Sequence, residues 1–134
     1  EELKNAFRKV SSIHFLDFQN QSRMPVVYRL GDMFVLPSRG PGETWGLAVN
    51  EAMACNRPVL VSDRCGCAPD LVASGENGYI FRAGNIEDLA DKMNMSAAKG
   101  KSGLNKMGQY SAHRISDFSF EKICEVVEKL LFKH

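Results

Sequence analysis

The order of apolar segments predicts an α/β fold in which helices cover both faces of a parallel sheet. Short apolar runs of strand length alternate along the chain with segments whose apolar residues recur at helical spacing. The segment 58–62 is almost continuously apolar, which is typical of a strand buried on both of its faces. The apolar segment 33–36 leads into a loop with proline and glycine and then into a helical segment.

The predicted elements follow this alternation from one end of the chain to the other. Strands are predicted at residues 13–16, 33–36, 58–62 and 79–81. Helices are predicted at residues 3–10, 24–30, 46–55, 69–73, 86–95, 104–115 and 120–131. In the helix at 24–30 we expect Val26, Val27 and Leu30 to point inward, and we interpret residues 99–103 as a polar turn.

Two glutamates lie close to the start of the predicted helix at 46–55. Glu43 is in the loop that precedes this helix, and Glu51 is on the helix, eight positions later. Ligands of open α/β sheets bind beyond the carboxyl ends of the strands, where such loops lie. A helix N-terminus favours phosphate, and carboxylates accept hydrogen bonds from hydroxyl groups. The pair therefore suits a ligand that carries both phosphate and hydroxyls.

The spacing around Glu51 places it on a largely apolar side of its helix. Leu47, Ala48 and Cys55 lie three or four positions away from it. A carboxylate in this position needs polar partners, and a salt-bridged or peripheral glutamate is the alternative interpretation. Thr44 is the expected N-cap of the helix. Asn56 is expected to end the helix in the left-handed conformation, which asparagine tolerates better than other non-glycine residues.

Five motifs occur in a fixed order along the chain. They are Val-Leu-Pro-Ser at 35–38, the Glu43 to Glu51 segment continued by Ala-Met-Ala-x-x-x-Pro-Val, Cys-Gly-Cys-Ala-Pro-Asp-Leu-Val at 65–72, Gly-Glu-Asn-Gly-Tyr-Ile-Phe at 75–81, and Phe-Ser-Phe at 118–120. Together they resemble the donor-binding lobe of retaining GT-B glycosyltransferases of the family-4 type. The resemblance implies that residues 1–134 form one Rossmann-like lobe. This lobe would be truncated on its N-terminal side and would lack the acceptor-binding lobe.

The resemblance also implies an activity and a role for each site residue. The parent protein would transfer a sugar, with retention, from a nucleotide-diphosphate sugar to an acceptor sugar or a lipid-linked glycan. Glu43 would be the catalytic residue at the transferred sugar, and Glu51 would bind the ribose hydroxyls, for which a carboxylate is a good bidentate acceptor. The backbone N–H groups of Trp45, Gly46 and Leu47 would meet the diphosphate or a sugar hydroxyl.

Some positions are assigned less directly or depart from the family pattern. Phe18 follows the first predicted strand, where the resemblance implies an aromatic residue beside the nucleobase; a core phenylalanine is the alternative. Cys67 and Asp70 stand where the family usually has glycine and glutamate. The family's arginine and lysine that neutralise the diphosphate have no counterpart here, although Arg39 and Arg64 are near the expected site, with surface roles as the default interpretation.

Composition narrows the remaining classes of function. With 44% apolar and 25% charged residues and a net charge of +1, the chain is ordinary globular material without the basic field of a nucleic-acid-binding protein. Its four cysteines have no zinc-binding spacing, so we expect reduced thiols, no metal and no cofactor. We expect a cytoplasmic protein, either free or held peripherally at the inner face of a membrane through the missing lobe. The opening Glu-Glu-Leu-Lys favours a fragment of a longer polypeptide.

Other kinds of protein share this architecture and stay open as alternatives. A nucleotide-sugar epimerase is one, because its catalytic residues would include some from the missing half. A non-catalytic nucleotide-binding module is another, although the intact pair of Glu43 and Glu51 argues against it. A dinucleotide-dependent dehydrogenase is disfavoured, since no G-x-G-x-x-G motif follows any predicted strand.

Overall fold

The computed structural model describes residues 2–132. A parallel three-stranded sheet in the order β1-β2-β3 forms its centre, with strands at Phe34–Leu36, Val59–Ser62 and Gly78–Phe81. Leu60 is in register with Val35 on one side and with Tyr79 on the other. Parallel neighbours need crossover connections, and helices provide them here.

Residues 2–132 also form seven α-helices and two 3₁₀ turns. The helices are α1 (Glu2–Phe7), α2 (Met24–Leu30), α3 (Leu47–Ala54), α4 (Ala68–Leu71), α5 (Ile86–Ala97), α6 (Gly100–Ile115) and α7 (Phe120–Leu131). The 3₁₀ turns are Gln21–Arg23 and Ser116–Phe118. None of the helices in this part of the chain is long and apolar enough to cross a membrane.

The side chains of β2 alternate between two apolar clusters. Val59 and Val61 pack with Met53 of α3 on one face of the sheet. Leu60 packs on the other face, where Met107 of α6 completes the cluster. All four residues of β2 are buried, and full burial of a side chain of this size contributes about 1.5–3 kcal/mol. The prediction of an α/β fold with helices on both faces of a parallel sheet is confirmed.

Three details of the predicted elements are wrong. Residues 13–16 form no strand; they are irregular chain outside the sheet, because a strand exists only where a neighbour completes its hydrogen bonds. Val26 and Leu30 are exposed, and Tyr28 is the buried residue of α2. The predicted turn is confirmed only at Lys99; residues 100–103 are helical, because α6 begins at Gly100, one turn earlier than its apolar pattern indicates.

Candidate functional site

The loop between β1 and α3 ends at a glycine with a left-handed backbone. Gly46 is the N-cap of α3 with a φ of 98°, a conformation that glycine adopts without steric cost. Its carbonyl accepts a hydrogen bond from the N–H of Val49 at 2.8 Å. Thr44 is therefore not the N-cap, and the sequence-based prediction was wrong by two residues. At the other end of α3, the left-handed conformation predicted for Asn56 is confirmed.

A second segment, residues 65–67, holds this loop in place. The N–H of Cys67 donates a hydrogen bond to the carbonyl of Trp45 at 2.9 Å. A Cβ at Gly66 would lie 1.9 Å from the carbonyl oxygen of Thr44, so the two backbones can approach only because this residue has no side chain. The glycine in the Cys-Gly-Cys sequence therefore fixes the distance between this segment and the loop.

Cys67 occupies the space where the family pattern has glycine. A Cβ on Gly46 would lie 3.3 Å from its Sγ, so the thiol packs directly against the start of α3. Burial raises the pKa of Cys67 to about 11, and the neighbouring Cys65 thiol and the charge of Glu43 act in the same direction. Near neutral pH Cys67 is thus a protonated packing residue, and the Glu43 carboxylate lies close enough to be felt by it.

Trp45 ties the loop to the helix that follows. Its indole Nε1–H donates to Oδ1 of Asn50 at 3.0 Å, and the ring packs against the core cluster on the α3 face of the sheet. Sequence periodicity alone indicates that Asn50 faces solvent. The structure instead assigns it a partner that fixes the indole, so the Trp45 side chain anchors the loop.

The start of α3 presents several backbone donors between the two glutamates. Within residues 2–132 the N–H groups of Trp45, Gly46 and Leu47 have no hydrogen-bond acceptor. The first N–H groups of a helix have no partner inside the helix, and its dipole favours an anion at this end. These are the three amides that the sequence predicts to face a diphosphate or a sugar hydroxyl, and that assignment stays a prediction.

Glu51 is half-buried, and each of its carboxylate oxygens accepts one hydrogen bond. Gln21 donates from Nε2 to Oε1 at 2.7 Å, and the hydroxyl of Tyr28 donates to Oε2 at 2.7 Å. Both partners are neutral, which excludes the salt-bridged alternative. Burial raises the pKa of Tyr28 above its ordinary range, and the hydrogen bond and charge of Glu51 raise it further. The expectation that Glu51 has polar partners is confirmed.

Sequence reasoning did not find these two partners of Glu51. The sequence does indicate that Tyr28 needs a partner, because it lies within an apolar helical pattern and the hydroxyl of a buried tyrosine usually makes a hydrogen bond. Gln21 gives no such signal, since a polar residue in a polar segment is ordinary. Only the packing of α2 against α3 brings both side chains to Glu51.

Glu43 differs from Glu51 in its surroundings. Its side chain is half-buried in the loop, beside Cys67. No donor within residues 2–132 makes a hydrogen bond to its carboxylate. Protein groups thus orient the Glu51 carboxylate. The Glu43 carboxylate can still accept hydrogen bonds from a group outside residues 2–132.

The remaining predicted residues, Phe18, Arg39 and Arg64, are exposed at the surface. Phe18 is 93% exposed, so the alternative of a core phenylalanine is wrong; its place beside a nucleobase stays a prediction. Arg39 and Arg64 are exposed as well, and the aliphatic part of Arg64 lies along the loop near Gly40. Neither arginine makes an ion pair with another residue of the described range 2–132.

The cysteines form no disulfide. Cys55, Cys65 and Cys67 are buried free thiols, and Cys124 is an exposed one. Across residues 2–132 there is no group of three or more histidine, cysteine, aspartate or glutamate side chains arranged to hold a metal ion. The expected independence from metals and cofactors stays a prediction.

Comparison with known proteins assigns the chain to a family. The family described as glycosyl transferases group 1 matches residues 2–114. The chain belongs to this family. This match confirms the family that the motifs indicated. The likeness to GT-B structures confirms the predicted fold. The family-4 subdivision and retention of configuration stay predictions.

Individual members of the group 1 family align with most of this chain. A D-inositol 3-phosphate glycosyltransferase of Corynebacterium jeikeium is 32% identical over 123 residues, which cover 88% of this chain and 27% of that protein. A sucrose-phosphate synthase of Thermosynechococcus elongatus shares the fold with a TM-score of 0.81 at 23% identity, covering 97% of this chain and 32% of that one. Anabaena HepE, solved in complex with UDP-glucose, shares the fold with a TM-score of 0.70 at 24% identity. The match covers 96% of this chain and 36% of that one. The chain spans 18% to 30% of the length of curated relatives that it matches.

Proposed function

We propose that this chain is the lobe of a longer group 1 glycosyltransferase that binds the nucleotide-diphosphate sugar. The observation that carries the proposal is the start of α3. There, backbone N–H groups that have no acceptor within residues 2–132 lie between two carboxylates. Glu43 accepts no hydrogen bond from that range, and Glu51 is oriented by two neutral donors. Phosphate suits the first feature, and hydroxyl groups suit the other two.

Each predicted residue has a role in this proposal. Glu51 accepts hydrogen bonds from the ribose hydroxyls, and the amides of Trp45, Gly46 and Leu47 bind the diphosphate or a sugar hydroxyl. Glu43 accepts from the transferred sugar and stabilises the positive charge that develops at its anomeric carbon. Such electrostatic stabilisation by preorganised groups is a large contribution to catalysis. Phe18, exposed on the chain that leads to Gln21, borders the nucleobase.

The relatives support a sugar nucleotide over the alternatives. The relative from Corynebacterium jeikeium is a glycosyltransferase, and one structural neighbour was solved with UDP-glucose. The epimerase and the non-catalytic module are therefore not favoured. The acceptor is a sugar or a lipid-linked glycan held by a second, N-terminal lobe of the same polypeptide. The enzyme serves carbohydrate biosynthesis in the cytoplasm or at the inner face of a membrane, with retention, and without metal or cofactor.

The isolated lobe should bind the donor weakly and transfer no sugar. Catalysis depends on orienting donor and acceptor together, and this chain carries only one of the two binding lobes in our proposal. Basic residues for the diphosphate are also lacking from the described loop, apart from the exposed Arg39 and Arg64. We expect donor binding no tighter than about −5 kcal/mol, in the high micromolar range.

The test is a titration of the 134-residue chain with UDP-, GDP- and ADP-glucose, followed by amide chemical shifts in NMR spectra. At least one nucleotide should shift the amides of residues 45–48. Glu51→Gln should weaken its binding by about 1–3 kcal/mol, the range of a lost hydrogen bond to a charged group. Glu76→Gln is the control, because Glu76 is an exposed glutamate in the turn before β3. If none of the three nucleotides shifts these amides, the proposed donor site is wrong.

Glu43 requires a separate test in the complete enzyme. Glu43→Ala should lower turnover much more than it lowers affinity for the free nucleoside diphosphate, because its contribution grows in the transition state. Turnover that stays within a few-fold of wild type would remove Glu43 from the catalytic step without affecting the assignment of Glu51.

A further inference from the structure

We propose that the two partners of Glu51 have different tasks, a proposal that rests on the proposed function. Tyr28 is a positioning residue that holds Oε2 of Glu51 permanently. Gln21 is an exchangeable partner that occupies Oε1 until a ligand hydroxyl displaces it. The site would therefore be preorganised on one oxygen of Glu51 and open on the other.

Tyr28 has the surroundings of a permanent donor. It is only 8% exposed, and its ring packs edge-to-face on Phe34 with centroids 5.4 Å apart and an interplanar angle of 76°. The ring cannot leave this position without breaking core contacts, so its hydroxyl stays 2.7 Å from Oε2. A tyrosine hydroxyl is protonated at neutral pH, and burial and Glu51 raise the pKa of Tyr28 further, so its hydroxyl stays a donor.

Gln21 has the surroundings of a temporary donor. It lies in the 3₁₀ turn Gln21–Arg23, which buries no residue, and its side chain is exposed. Its amide makes a 2.7 Å hydrogen bond to Oε1, but water or a ligand hydroxyl can replace that bond from the solvent side. Loss of an exposed hydrogen bond that is remade with another donor costs little free energy.

The difference between the two donors has a consequence for ligand binding. A carboxylate with one oxygen already held by a protein donor loses less conformational freedom when it binds a diol. Preorganisation of this kind increases affinity. Removing the Tyr28 hydroxyl should therefore weaken binding through Glu51. Removing the Gln21 amide should leave binding unchanged or strengthen it, because the ligand no longer has to displace a protein group.

The experiment is a double-mutant cycle on the 134-residue chain, with Kd values for UDP, GDP and ADP from NMR titration. Tyr28→Phe keeps the ring and removes only the hydroxyl; it should raise the Kd about five- to tenfold in the wild-type background, the upper part of the range of one typical net hydrogen bond. In the Glu51→Gln background it should change the Kd less than twofold. Gln21→Ala should leave the Kd equal to wild type or lower it by up to about threefold.

Controls separate a positioning role from a merely structural one. Tyr110→Phe and Gln109→Ala alter exposed residues of α6 and should leave the Kd unchanged. The comparison of the two Glu51 backgrounds makes the same distinction, because a merely structural loss of affinity would appear in both.

The outcomes that overturn the proposal differ from those that overturn the function. Equal losses of affinity for Tyr28→Phe in both backgrounds, or an unchanged Kd for Tyr28→Phe, would show that Tyr28 does not act through Glu51. A loss of affinity for Gln21→Ala as large as the loss for Tyr28→Phe would show that Gln21 is not an exchangeable partner. An unchanged Kd for Glu51→Gln overturns the ribose assignment itself, whatever Tyr28 does.

Discussion

Strand β2 and helix α7 are both rich in apolar residues, yet they lie in opposite environments. All four residues of β2 are buried. Helix α7 has a strongly amphipathic pattern but buries no residue, and Leu130 on it is 70% exposed. The comparison teaches that an apolar pattern specifies an element, whereas burial requires a second surface. Within residues 2–132 helix α7 packs chiefly against the 3₁₀ turn Ser116–Phe118.

Helix α1, at the beginning of the described chain, differs from the buried sheet in the same way as α7 does. Helix α1 also buries no residue, and Phe7 on it is exposed. The sheet and α3 therefore carry most of the stability of the described chain, and α1 and α7 are expected to open at low free energy. Stability that varies along a chain in this way is common and can be measured.

The largest expected effect comes from removing a core side chain. Leu60→Ala should lower the free energy of unfolding by about 2–5 kcal/mol, because it empties a fully buried position between two strands and α6. Leu130→Ala on α7 is the matched control and should change it by less than about 0.5 kcal/mol. Chemical denaturation of both variants measures the difference. Equal losses would mean that α7 is packed as tightly as the sheet.

The next effect is a loss of stability at alkaline pH. Below pH 9 the Cys67 thiol is largely protonated in the folded and in the unfolded chain. Above pH 9 the unfolded chain loses this thiol proton first, because the pKa of Cys67 in the folded chain is raised to about 11. The free energy of unfolding should therefore fall by roughly 2 kcal/mol between pH 9 and pH 11. Tyr28, whose pKa is raised too, adds to the loss above pH 10.

Urea denaturation under reducing conditions across this pH range tests the assignment to Cys67. Cys67→Ala should flatten the fall in stability, and Cys124→Ala, which alters an exposed thiol, should leave it as in wild type. The comparison concerns the pH dependence of each variant, because Cys67→Ala also changes core packing. The same slope in all three proteins would show that Cys67 is not responsible.

The smallest effect compares two helix caps of the same kind. Asn85 accepts a hydrogen bond from the N–H of Asp88 at the start of α5, and Ser119 accepts one from the N–H of Lys122 at the start of α7. Loss of a cap costs about 1 kcal/mol. Asn85→Ala should lower global stability by this amount, since α5 packs on β3 and α6. Ser119→Ala should speed amide exchange in α7 alone; a global loss would contradict the comparison.

Residues with strong local signals were predicted well from the sequence. The span of α7, the buried character of β2 and the left-handed Asn56 follow from periodicity, composition and one residue's tolerance of positive φ. The order of motifs also led to the correct family. Gly46 was predicted as the first residue of the helix, and its role as N-cap was missed because Thr44 has the better capping side chain.

What the sequence determined by itself was most of the elements, the family, and the places of the two glutamates, Glu43 in the loop and Glu51 on α3. What only the tertiary structure decided was the set of contacts between segments far apart in the chain. Gln21 and Tyr28 reach Glu51 because α2 packs on α3, and Cys67 reaches Gly46 because residues 65–67 cross the loop. Residues 13–16 and Val26 have apolar patterns but no covering surface. Local patterns record propensity and amphipathicity, whereas burial and hydrogen-bond partners depend on which surfaces meet.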